Sequence, residues 1–82
     1  MPVPRDIRDQ LTKIDEQIID LLSERTTLCQ KALEEDEAAF GHAEQAETLS
    51  DWEGAADERG MNITTMNHLC KLVMKLCQST EQ

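Results

Sequence analysis

Apolar residues recur at Ile7, Leu11, Ile14, Ile18, Leu21, Leu28 and Ala32, in alternating steps of four and three that align them along one side of an α-helix. The stripe passes through Arg25, so one of its positions is a cation. No Gly or Pro interrupts 6–37, which predicts a first helix of about 48 Å. That is longer than the roughly 26 Å diameter of a compact domain of this size. Such a helix has to lie against more than its own short successors. A chain of 82 residues buries only roughly 60% of its unfolded surface, so a partner chain is expected to cover part of the seam.

The rest of the pattern predicts two shorter helices. Pro2 and Pro4 mark an extended leader, and Asp6 is a candidate cap for the first helix. Phe40-Gly41-His42 is the first break. A second amphipathic stretch over 43–58 places Ala46, Leu49, Trp52 and Ala56 on one side, weakened by Gly54. Gly60 is a natural stop, and Asn62 or Thr64 can cap a third helix over 63–79. In that helix Met66, Leu69, Cys70, Val73, Leu76 and Cys77 recur at helical spacing. Nothing reads as a strand, since β-branched residues never alternate with polar ones. The expectation is a single all-α domain over 1–82.

Arg25 is the first candidate for a functional group. A guanidinium in an apolar seam needs an anionic ligand or partner to offset its desolvation. A structural ion pair with Glu24 or with a carboxylate on another helix meets the same need, as does snorkelling of the side chain to solvent.

Charge narrows the range of partners. The chain has 17 acidic and 8 basic residues, a formal net charge of −9. Nucleic acid and anionic membrane surfaces both call for a positive patch and are not expected to bind. No run approaches the ~20 apolar residues of a membrane span. Cys29, Cys70 and Cys77 are odd in number, lack paired metal-ligand spacing and follow no signal peptide, so free thiols in a reducing cytoplasm are expected and no metal site. Cys70 and Cys77, seven residues apart, fit small buried hydrophobes on one helical face. His42 and His68 are neither paired nor spaced as ligands. Glu34-Glu35-Asp36-Glu37 stands at the C-terminal end of the first helix, where the dipole disfavours anions.

The segment from Ile7 to Arg25 closely resembles the opening helix of the all-helical AroQ class of chorismate mutases, in which an arginine is followed by I-D-x-x-(I/L)-(I/L)-x-L-L-x-E-R. Here that motif runs Ile14-Asp15-Glu16-Gln17-Ile18-Ile19-Asp20-Leu21-Leu22-Ser23-Glu24-Arg25. The order of one long and two shorter helices extends the resemblance over nearly the whole chain. It implies an intertwined helical homodimer that converts chorismate to prephenate by a Claisen rearrangement, without cofactor or covalent chemistry. Such a reaction is accelerated by positioning and by stabilising charge on the breaking ether oxygen. The resemblance assigns Arg25 to a substrate carboxylate and Arg8 to the site of the partner chain. Arg8 and Arg25 are seventeen residues apart, roughly 26 Å along a helix, too far to share a small ligand within one chain. Glu81 falls where the family has a glutamine or glutamate bonded to the ether oxygen; a carboxyl there must be protonated to donate.

Other positions depart from that pattern. The family's lysine, eleven residues after the gripping arginine and on the same face, is replaced by Asp36. An arginine-glutamate pair at the start of the second helix is replaced by Glu44-Gln45. Lys31, six residues from Arg25, is about 240° around the helix and does not substitute. Two readings therefore stand. One is a chorismate mutase, or a relative acting on another shikimate-derived acid; the other is a non-catalytic helical dimer that binds a protein partner or a different small ligand.

Overall fold

The computed structural model describes residues 3–78 and consists of three helices: α1 (Arg5–Glu35), α2 (His42–Glu58) and α3 (Ile63–Gln78). The all-α expectation is met, with each boundary within two residues of the range predicted from the pattern for the described part of the chain. Glu81 lies outside the described residues.

Helix α1 begins without a side-chain cap. Pro4 holds the cap position and its carbonyl accepts from the Arg8 N–H at 3.0 Å, so Asp6 lies inside the first turn rather than ahead of it. There its charge complements the positive end of the dipole. The helix stops at Glu35 because Asp36 adopts an extended backbone and its Oδ1 accepts the Ala38 N–H at 3.0 Å. That local turn competes with helix continuation. No basic residue sits in the last turn to offset the acidic run.

Two well-formed motifs fix the α2–α3 hairpin. Gly60 takes φ 68°, the Met61 N–H reaches the Ala56 carbonyl at 2.8 Å and the Gly60 N–H reaches Asp57 at 3.2 Å, which together make a Schellman ending. Asn62 then caps α3, its Oδ1 accepting the Thr65 N–H at 2.8 Å. Across the hairpin Asn67 Nδ2 donates to Glu53 Oε2 at 2.7 Å.

Helix α3 packs against both of the others, whereas the backbones of α1 and α2 stay more than 8 Å apart, Cα to Cα. The buried core is small: Cys29, Ala56, Cys70, Val73 and Cys77. Cys29 and Cys77 are joined by a disulfide, with 5.7 Å between their Cα atoms and 48 residues between them in sequence. This corrects the expectation of three free thiols; Cys70 alone is free, and it is buried. All three cysteines do fill apolar interior positions. The pairing escaped the sequence because it depends on how α1 lies on α3, not on any spacing within one helix.

The outer face of α1 is bare. Ile7, Leu11, Ile14 and Ile18 are 49, 49, 49 and 48% exposed, and Leu21 and Leu28 are more open still. The molecule measures 48 × 29 × 17 Å, so the long dimension is that of α1 itself. Among the described residues no helix is long and apolar enough to cross a membrane.

Candidate functional site

Arg25, Cys29 and Leu33 of α1, with Glu37 in the turn just beyond its end, line the gap between α1 and α2. Because no Cα atom of α1 comes within 8 Å of one in α2, space remains over α3 as a cavity of about 260 Å³. Met74, Cys77 and Gln78 of α3 line it from one side, Gln45 and Thr48 of α2 from another, and Phe40 stands in the connecting turn. The disulfide is thus part of the wall, one helical turn from Arg25.

Arg25 is half-buried rather than enclosed. Its guanidinium donates no hydrogen bond to a protein group among the described residues. No buried side-chain nitrogen or oxygen is left without a partner among them, so this cation keeps contact with solvent. Of the structural alternatives, no ion pair with Glu24 forms and Glu24 is exposed, so contact with solvent is what offsets the desolvation of Arg25. Arg25 also borders a second, shallower hollow with Leu28 and Phe40. Its charge is felt at Cys70: burial pushes the Cys70 thiol above its usual 9.0, Arg25 opposes that shift and Glu53 adds to it.

The other candidates are dispersed. Arg8 lies on the exposed first half of α1 and does not line the cavity. Asp36 is outside the helix and occupied in its turn, and the cavity's carboxylate is Glu37 instead. Of the Glu44-Gln45 pair, Gln45 lines the cavity, its Nε2 donating to the Phe40 carbonyl at 2.8 Å, while Glu44 is exposed. Lys31, His42 and His68 are exposed and do not line it. Arg59 folds back on its own helix, Nη1 donating to the Ala55 carbonyl at 3.0 Å. Among the described residues no cluster of His, Cys, Asp or Glu suits a metal ion.

Glu37, Phe40, Thr48 and Met74 were not singled out by the pattern. Glu37 lies beyond the end of α1, about 120° from Arg25 on a continued helix, so neither it nor the residues from α2 and α3 had a signal in the periodicity.

What a single arginine at the end of a mostly apolar cavity can do is hold a carboxylate in a defined orientation. Searches of curated proteins and of solved structures returned no match. The sequence profile described as chorismate mutase type II does match, over residues 7–82, and that span includes all but the first six positions. Taken with the three-helix architecture and the arginine at the cavity, the match establishes that this chain belongs to the chorismate mutase type II family, the all-helical AroQ class.

Proposed function

We propose that the protein is a homodimer that binds chorismate or a closely related shikimate-derived acid, and that it catalyses the rearrangement to prephenate only weakly. The observation that carries this reading is Arg25, a cation that lines the cavity between α1 and α2 and donates no hydrogen bond to another side chain or carbonyl among the described residues. Arg25 grips a carboxylate, and Arg8 of the partner subunit supplies a second cation. The bare face of Ile7, Leu11, Ile14 and Ile18 supports the pairing of two α1 helices that would deliver it. Glu81, when protonated, donates to the ether oxygen.

The rearrangement breaks a C–O bond and forms a C–C bond within one molecule, so the site needs no nucleophile and no cofactor. Holding the reactant compact and stabilising the developing negative charge on the ether oxygen provide the acceleration. Weakness follows from the lining. Where the family places a lysine and an arginine-glutamate pair, this chain has Asp36, Glu44 and Gln45, and Glu37 adds an anion to the cavity itself. Losing one preorganised charge contact typically costs about 10²–10³ in rate.

A cytoplasmic location belongs to this reading.

A second reading is favoured by the same carboxylate. A dimer that retained the scaffold and bound another small ligand, or a protein partner, without catalysis would tolerate Glu37 in the cavity. Purified protein mixed with chorismate, followed by loss of chorismate absorbance and detection of prephenate, decides between them. Turnover above the uncatalysed rate that disappears in Arg25→Ala supports the enzyme; saturable binding without turnover supports the second reading.

A further inference from the structure

We propose that this cavity takes a ring-bearing carboxylate that also carries an ammonium group, with Arg25 receiving the carboxylate and Glu37 the ammonium. The inference rests on the carboxylate-binding role of Arg25 proposed above and specifies the ligand class.

Both charges line one cavity. Arg25, Cys29 and Leu33 lie on successive turns of α1, and Glu37 follows in the turn after Glu35. Twelve residues separate Arg25 from Glu37, of which the ten to Glu35 rise roughly 15 Å along α1. Both side chains are long and line the cavity, and a small ring with substituents on opposite sides can address two such charges at once. Between the charges the wall is apolar: the disulfide and Leu33 on α1, Met74 on α3 and Phe40 in the turn.

Neither charged side chain is used within the fold. Among the described residues no side-chain hydrogen bond involves Arg25 or Glu37, and none joins them to each other. Of the run Glu34 to Glu37, Glu37 alone lines this cavity. A solvated acidic run explains Glu34 and Glu35 but not the one carboxylate that faces the ligand space. An anion there repels a second carboxylate of the ligand and attracts an ammonium, which is selection by charge order rather than by size.

The test is calorimetric titration of the oxidised protein at about pH 7 with two probes that share a ring and a carboxylate, only one of which carries an ammonium. These are trans-4-(aminomethyl)cyclohexanecarboxylate and trans-4-methylcyclohexanecarboxylate, with chorismate as a third ligand. The amine probe should bind roughly tenfold more tightly than the methyl probe, the scale of one charge-assisted hydrogen bond. Glu37→Gln, at an exposed position where folding is not at stake, should bring that ratio to near one while keeping or improving binding of the methyl probe. Equal binding of the two probes, tighter binding of the methyl probe, or a ratio unchanged in Glu37→Gln overturns the inference. If the methyl probe or chorismate binds through Arg25 under those outcomes, the carboxylate reading survives alone. If none of the three ligands binds, both fail.

Discussion

Cys29 of α1 is bonded to Cys77 of α3, so the cation at Arg25 is held one helical turn from a covalent link between the two helices that frame its cavity. In a protomer with five buried core residues, that link unites two of them. The packing of α1 on its own chain therefore depends on one bond more than on apolar area.

Reduction should be costly. Closing a loop of 48 residues restricts the unfolded chain by about 4 kcal/mol in the chain-entropy account. Urea unfolding at one fixed protein concentration, with and without dithiothreitol, should show a loss of this order, and Cys29→Ala with Cys77→Ala should reproduce it. A difference under about 1 kcal/mol would mean that packing of α1 on α3, or on a second chain, holds the fold without the bond.

The half-exposed Ile7, Leu11, Ile14 and Ile18 should be covered in solution by a second copy of the chain. Sedimentation at micromolar concentration should give a dimer, and Ile14→Glu with Ile18→Glu should abolish it. A stable folded monomer of the parent protein would remove the shared site, and the role of Arg8 with it.

Arg25→Ala should leave stability within about 1 kcal/mol of the parent, because among the described residues the side chain has no hydrogen-bond partner to strand and it retains contact with solvent. Carboxylate binding should be lost in the same variant. Thermal unfolding with and without chorismate reads both quantities, and a large loss of stability would instead identify Arg25 as structural.

Restoring positive charge should help at one position and not at its neighbour. Glu37 lines the cavity whereas Asp36 is held in a turn through the Ala38 N–H, so Glu37→Lys should raise chorismate turnover and Asp36→Lys should not. Each rate is to be compared with the parent in the same absorbance assay. A gain confined to Asp36→Lys would show that the turn after α1 rearranges on ligand binding.

Cys70 gives stability a dependence on alkaline pH. Its folded pKa lies above the usual 9.0, chiefly through burial, so the protonated thiol is favoured by folding. The contribution is complete below 9.0, where the unfolded thiol is protonated too, and is lost as pH rises through the folded pKa. Denaturation midpoints should fall above about pH 9, and Cys70→Ala should flatten that part of the profile. The folded protein should also label slowly with a maleimide at neutral pH, since a buried neutral thiol is a poor nucleophile.

Much of the architecture was written along the chain because its causes are local. The period of the stripe from Ile7 to Ala32 defined α1, Gly60 took the left-handed position that ends α2, and Asn62 supplied the oxygen that starts α3. Arg25 stood out for the same reason, as a charge at a place that the periodicity reserved for apolar side chains. Contacts between helices carry no such local record. That Cys29 meets Cys77, that Glu37 rather than Asp36 faces the cavity, and that Gln45 rather than Glu44 lines it were decided by the lie of α1 and α2 on α3. Side-chain direction at a cavity is set by where a helix stops and how it packs. A turn closed by Asp36 and one disulfide settled both only once the three helices were assembled.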